Sequence, residues 1–372
     1  MTGLAWKKLI ASLVLSVLVS GSAFAEIVVH DAAGRTVRLE RPAERIATNE
    51  SLLIMALALI DDQPVSRLAG WAAPRRIDGG YYAALKARFP EIDAVPDIGG
   101  VVPASSSAES ILSVRPDLFV ISRWEPGWTD IVDLAAAAGV PTVFLDGPST
   151  DTLNPVDATA FSMQLLGTLI GRESQARAYA EFIQERYARV AQALASNEER
   201  ASVLIDAHAG PDCCSSPGAD NRLTEAVTLT GGQSIGGNLP GYDGRLSSEF
   251  VLGNDPKVYV ATGGPHLSAF GGVVLGVGVD PADARASFRN LIESSLRGSL
   301  TAVQEHRAFA ISHQLTISAM NVLMVECFAK WLHPAEAAAL DPEASLREIN
   351  TRFLAVPMEG ALWVSLEEQV AR

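Results

Sequence analysis

The chain has 372 residues, of which 48% are hydrophobic and 19% charged, with 43 Asp and Glu against 29 Lys and Arg. A net charge of −14 argues against nucleic acid and anionic lipid as partners and suits docking to a basic surface. The length is more than one core ordinarily needs and predicts two domains.

Residues 1–25 have a basic start at Lys7 and Lys8, an apolar stretch from Leu9 to Val19, and the small-residue end Ala23-Phe24-Ala25. This reads as a secretory signal peptide cleaved before Glu26, its apolar part too short to span a bilayer. No Cys sits at the cleavage point, so a lipid anchor is not expected. A free protein in a Gram-negative periplasm is.

Residues 26–155 alternate short β-rich runs with helical runs. Arg45-Ile-Ala-Thr, Asp117-Leu-Phe-Val-Ile-Ser and Pro141-Thr-Val-Phe-Leu read as buried parallel strands, with a helix from Ile131 to Gly139 between the last two. The pattern predicts an open doubly wound sheet, in which ligands sit beyond the carboxyl ends of the strands. Residues 156–196 change character. Phe161, Leu165, Leu166, Leu169 and Ile170 form one helical stripe, and Gly171 breaks it. Ala176, Tyr179, Phe182, Ile183, Tyr187, Val190 and Leu194 form a second, in a long helix without internal Gly or Pro. Such a helix is a stiff strut between lobes. Residues 197–372 resume the α/β alternation, with strands at Ala201-Ser-Val-Leu-Ile-Asp, Lys257-Val-Tyr-Val-Ala-Thr and Ala308-Phe-Ala-Ile-Ser and helices over Asn321–Leu332 and near Leu346–Phe353. The predicted fold class is therefore α/β: two Rossmann-like lobes with central parallel sheets, joined by a single long α-helix.

One pattern occurs twice. Glu109-Ser-Ile-Leu-Ser-Val-Arg-Pro-Asp-Leu-Phe-Val-Ile and Glu249-Phe-Val-Leu-Gly-Asn-Asp-Pro-Lys-Val-Tyr-Val-Ala each run from an acid through a short apolar helix and a Pro into a core strand. Two acids held at equivalent places on two similar lobes are what a symmetric partner can grip. Taken singly, each is also explained as a favourable anion in a first helical turn, worth a few tenths of a kcal/mol.

These residues carry a resemblance. The segment Asp31-Ala-Ala-Gly-Arg-Thr-Val, the Glu-containing repeat, the strut helix and the ending Asn321-Val-Leu-Met-Val-Glu-Cys-Phe-Ala-Lys-Trp-Leu-His-Pro resemble the periplasmic substrate-binding proteins of ABC importers for iron-siderophores, haem and cobalamin. The Ala-Lys-Trp-Leu-His-Pro run, with Asp341-Pro-Glu-Ala-Ser-Leu-Arg-Glu-Ile-Asn after it, is more similar to the ferric-siderophore branch. The resemblance implies a monomer that binds a small-molecule metal chelate, an Fe(III)-siderophore, with no resident cofactor. It also implies that Glu109 and Glu249 meet Arg residues of an inner-membrane permease dimer. Haem and cobalamin remain alternatives within the family.

Ligand contacts are expected after the strands. On the first lobe these are Asn49, Trp71, Arg75, Arg76, and Arg123 beside Trp124, where a guanidinium and an indole suit an anionic chelate with flat faces. Equally, Arg75 and Arg76 read as solvated surface charges, and Trp124 with Trp128 as cover for a core edge. On the second lobe, Asp206-Ala-His-Ala-Gly-Pro-Asp-Cys-Cys-Ser-Ser-Pro-Gly is a loop by its Gly and Pro content. It places His208, Cys213 and Cys214 at the sheet edge, joined by Tyr242, His266 and His313 from other loops. Three cysteines is an odd count for an exported chain. The adjacent pair reads either as a vicinal disulfide stiffening its loop or as thiols offered to a ligand. A protein site for a free transition metal is not expected, because the first lobe offers no matching His. The chain lacks G-x-S-x-G, P-loop, G-x-G-x-x-G and H-E-x-x-H motifs, so an exported enzyme using Cys213-Cys214 is a distant alternative. A ligand sensor with a different docking partner is another.

Overall fold

A computed structural model describes residues 26–123 and 125–367. The signal segment and Trp124 lie outside the described residues. The chain opens on an antiparallel hairpin, β1 (Ile27–His30) with β2 (Thr36–Leu39). Its turn is tied by Asp31, whose carboxylate accepts the backbone N–H groups of Ala33 and Arg35 and, 3.3 Å away, that of Phe144.

The first lobe follows: β3 (Ile46–Thr48), α1 (Leu53–Ile60), β4 (Leu68–Trp71), α2 (Gly79–Arg88), α3 (Ala108–Ser113), β5 (Leu118–Arg123), α4 (Thr129–Ala137) and β6 (Thr142–Asp146). Its four strands are parallel in the order β4-β3-β5-β6. The chain then runs through α5 (Pro155–Ile170) and α6 (Glu173–Ala193). Asn154 caps α5 by accepting from Val156 and Asp157, and Gly171 ends it in the left-handed region at φ 70°. The Gly171 end is the one the sequence analysis anticipates.

The second lobe comprises β7 (Ala201–Asp206), β8 (Ser215–Pro217), α7 (Arg222–Leu229), β9 (Gly232–Ser234), β10 (Asp243–Arg245), α8 (Ser248–Asn254), β11 (Val258–Gly263), β12 (Gly276–Val277), α9 (Pro281–Glu293), α10 (Thr301–Gln304) and β13 (Ala308–Ser312). It continues through α11 (His313–Thr316), α12 (Asn321–Leu332), α13 (Pro342–Arg352), β14 (Gly360–Ala361) and β15 (Trp363–Ser365). Its main sheet has the order β15-β13-β11-β7-β9, parallel except for β15. Every residue of β11 and β13 is buried, as expected of parallel strands covered on both faces.

The two lobes share apolar packing. α12 is buried on all sides apart from Lys330 and packs against α5 and α6, while α6 also meets α1 of the first lobe. Leu53, Ile54, Leu166, Ile183, Leu323 and Phe328 belong to one continuous hydrophobic cluster. Polar ties cross the same junction, from Tyr179 Oη to Ala319 O (2.8 Å) and from Asn321 Nδ2 to Thr159 Oγ1 (2.9 Å).

α5 and α6 pack tightly at Gly167, where an added Cβ would lie 2.2 Å from that of Ala176 and 3.0 Å from Arg172 O. Gly→Ala inside a helix ordinarily gains close to ~1 kcal/mol. Here overpacking reverses the sign, and Gly167→Ala is expected to lose about 1–3 kcal/mol in urea denaturation. A gain would show that the helical pair is not closely packed there.

Candidate ligand-binding site

The carboxyl ends of both main sheets face one cleft. It contains two adjoining cavities, of about 930 and 530 Å³, which share Arg76, His208, His313 and Ile317 in their walls. The larger, outer cavity lies between the Pro74–Gly79 segment of the first lobe and the ends of β11 and β13. The smaller, inner one is lined by Leu53, Leu145, Met163 and Leu166 together with Arg123, Arg222 and Tyr242.

Three imidazoles dominate the second-lobe wall. His208 Nδ1 and His266 Nε2 are 3.1 Å apart, and the ring centroids of His208 and His313 are 3.8 Å apart. Thr262 Oγ1 lies 3.0 Å from His313 Nδ1 and also accepts the backbone N–H of His208, so one hydroxyl at the end of β11 orients two of the three. Desolvation in the cleft lowers all three pKa values. For His208 the neighbouring His266 and Arg76 add to the effect, and His313 is pushed down to about 3. The three rings are thus neutral at pH 7.

His208 sits at φ 51°, in the left-handed region. The loop that carries it is braced from below. Asp206 accepts from Tyr259 Oη (2.8 Å) and from Arg297, which is 0% exposed and also donates to Gly210 O (2.9 Å). Asp206, Cys213 and Cys214 place ligand atoms within 4.8 Å of one another. That carboxylate is occupied by Arg297, and the two sulfurs are joined in a disulfide.

The first lobe supplies Arg75, Arg76 and Arg123. Arg76 pairs with Glu50 at 3.3 Å, and its carbonyl accepts from Gln314 Nε2 across the cleft at 2.6 Å. Burial raises the Glu50 pKa against the pull of Arg76. Arg123 is held by Asp146 (2.5 Å) and Asp151 (3.0 Å). Arg75 lines the outer cavity, exposed and with no ion pair among the described residues. Gln314 Oε1, buried in the opposite wall, has no hydrogen-bond partner.

Of the residues expected at the ligand, Arg75, Arg76, Arg123, His208, Tyr242, His266 and His313 line the two cavities, and Trp124 is undescribed. Four do not reach the cleft. Trp71 is the last residue of β4, 1% exposed, and packs near Tyr82 with centroids 6.4 Å apart. Asn49 is a buried clamp that donates to Val101 O and accepts from Ser122 N. Cys214 belongs to the second-lobe core, and Cys213 packs against it.

Arg222, Asp146 and Glu50 were missed from sequence. Arg222 opens α7, donates to Thr150 O and Leu153 O of the other lobe, and pairs with Glu225. A cation in a first helical turn opposes the helix dipole, and that misplacement was the available signal.

The repeated acids are matched in detail. Glu109 and Glu249 are exposed, each in the first turn of a helix capped by a serine, Ser107 or Ser247. Each helix leads to a left-handed residue just before the Pro, Arg115 (φ 49°) and Asp255 (φ 38°). The Glu249 carboxyl is held below the usual range by its own backbone N–H and by Ser247.

Residues 85–315, more than half of the chain, match the family model described as "Periplasmic binding protein". The chain belongs to the periplasmic binding protein family. Its two sheets and helical backbone are those of the class III type. Among solved structures, a TroA-like periplasmic binding protein, FepB, from Veillonella parvula superposes with a TM-score of 0.82 at 21% identity, covering 92% of this chain and 100% of that one. The molybdate-bound MolA of Haemophilus influenzae gives 0.68 at 14% (90% and 99% covered). An Fe3+-hydroxamate transport system protein from Saccharomonospora viridis gives 0.51 at 18% (82% and 98%). No curated protein matches the sequence. The Haemophilus and Saccharomonospora proteins are described as parts of ABC transport systems. No helix among the described residues is long and apolar enough to cross a membrane.

The low His313 pKa has a consequence for this binding protein. Below the ordinary value of 6.5 the unfolded chain protonates this ring, while the folded chain refuses the proton until about pH 3. The stability it contributes is therefore complete above pH 6.5 and is lost as pH falls towards 3. His313→Gln is expected to flatten the decline of melting temperature between pH 7 and 4. An unchanged decline would show that the ring titrates normally.

Proposed function

We propose that this protein captures a ferric siderophore, an anionic iron chelate, in the periplasm and delivers it to a cognate ABC permease. The observation that carries the reading is the cleft itself. Three neutral imidazoles from three separate strand ends face Arg75 and Arg76 across about 930 Å³, with the unpartnered Gln314 Oε1 as an acceptor in the wall. A chelate of small-molecule size fills such a volume. Its negative charge meets a cation not already paired with a carboxylate, and its amide or hydroxyl donors meet the glutamine. A charged apolar-free anion such as molybdate would leave most of the space unfilled.

Binding is tested by calorimetric titration of the chain from Glu26 with ferric and iron-free catecholate, hydroxamate and citrate-type chelators, with haem, cobalamin and molybdate alongside. Saturable binding of one ferric class and none of its iron-free form is expected. Exclusive binding of haem, cobalamin or molybdate would overturn the ligand assignment.

Docking is assigned to Glu109 and Glu249. The double substitution Glu109→Ala/Glu249→Ala is expected to leave ligand affinity unchanged and to cut import by about an order of magnitude or more, the scale of losing charged contacts at an interface. Normal import by that variant would remove both acids from the docking role.

A further inference from the structure

We propose that His208 and His266 coordinate the metal of the bound chelate directly, and therefore that the transported chelate leaves two adjacent coordination positions open. This rests on the proposed role as a chelate carrier and narrows its ligand to a class.

The spacing is the first argument. At a metal–nitrogen distance of about 2.1 Å, nitrogens 3.1 Å apart subtend about 95° at a common metal. That is closer to the right angle between neighbouring octahedral positions than to a tetrahedral angle of about 109°. The nitrogens are His208 Nδ1 and His266 Nε2, and both rings open onto the outer cavity.

The second argument is incompleteness. Among the described residues, the only compact group of three or more His, Cys, Asp or Glu is Asp206 with the two disulfide-bonded cysteines. The protein thus offers two metal ligands at this place and no third close enough to make a cage. A bare cation would be poorly held, whereas a chelate supplying four donors completes a six-coordinate shell with the two imidazoles. The adjoining volume gives that chelate room, and Arg75 and Arg76 face its charge.

The third argument is support behind the ligands. His208 has its backbone fixed by Thr262 and its loop braced by the Asp206–Arg297 pair. A metal ligand held this way loses little freedom on binding. The exchange balances without an external reagent. Two waters leave the metal of the chelate, and the imidazole that donated in the His208–His266 hydrogen bond moves its single N–H to its other ring nitrogen through solvent. Both rings then present a lone pair to the metal, and no net charge changes.

The test uses ferric complexes of a tetradentate bis-catecholamide and a tetradentate bis-hydroxamate, each against its hexadentate tris counterpart, with the chain from Glu26. Expected is preferential binding of one tetradentate complex, with a shift of its ligand-to-metal charge-transfer band on saturation. His208→Asn, which tolerates the left-handed backbone, and His266→Gln should each abolish the shift. Each should also weaken that complex at least about ten-fold, the scale of losing even an outer-shell partner. Circular dichroism confirms that each variant is folded. Tight binding of a hexadentate complex, with no band shift and no effect of either substitution, would overturn direct coordination and leave the carrier role standing. Failure of both tetradentate complexes to bind would overturn direct coordination of this chelate class, and failure of the citrate-type ferric chelate as well would overturn the carrier reading.

Discussion

The cleft depends on the apolar packing that runs unbroken from one lobe into the other. α12 of the second lobe is almost wholly buried against α5 and α6, and α6 reaches α1 of the first lobe. Exposing five of these side chains would cost on the order of 10 kcal/mol. That is comparable with the entire binding free energy of a nanomolar ligand, about 12 kcal/mol. A wide hinge opening driven by ligand exchange would therefore consume nearly all of the binding free energy. The cleft works close to its present width, and small displacements at its rim, where the ties are single hydrogen bonds such as Gln314 to Arg76 O, are the affordable motion.

A fixed width places the demand for precision on the loops at the strand ends. The loop after β7 meets it with a buried ion pair instead of apolar packing. Arg297 is fully enclosed, contacts Asp206 at 2.7 Å and ties Gly210 O into the same network. A buried pair of this kind contributes little against an apolar replacement, but losing one partner strands the other charge at a cost of about 3–5 kcal/mol. It specifies position more than it adds stability. His208, left-handed at φ 51°, sits two residues beyond Asp206, where such specification is needed.

The sequence made the framework legible because its signals are local. Fully apolar strands, α5 ending on Gly171, and the doubled Glu-to-Pro spacing each announce themselves within a few residues. The strand at Ala201–Asp206 and the helix at Asn321–Leu332 have the predicted bounds. Errors arose where the outcome turned on which way a side chain faces. Trp71 was expected just beyond a strand, yet it is the last paired residue of β4, in register with Thr48, and its ring joins the core. Asn49 does follow its strand, but its amide is consumed in fastening Val101 and Ser122. The cysteines occupy a cleft-edge loop in sequence, while in space that loop folds Cys214 into the second-lobe core. The pairing of His208 with His266, 58 residues apart, has no local signal. It follows from β7 and β11 being neighbours in the sheet, a topology that the strand list alone does not dictate.

The distribution of charge gives the cleft a direction. In the inner cavity each cation is matched: Arg123 by Asp146 and Asp151, Arg222 by Asp146 and Glu225, and Arg76 by Glu50. These pairs join elements and leave a chamber that is electrically balanced and partly apolar. In the outer cavity the pairing fails. Arg75 has no ion-pair partner among the described residues, and Asp78, the acid in that wall, accepts from the backbone N–H of Gly80 at 2.7 Å and is likewise in no ion pair among them. In a chain of net charge −14, an anion approaching from solvent is repelled by most of the surface and finds its unmatched positive site in the outer cavity. A ligand carrying both an anionic metal centre and a less polar arm would therefore be oriented on entry, its charged end towards Arg75 and the imidazoles and its arm towards Met163 and Leu166.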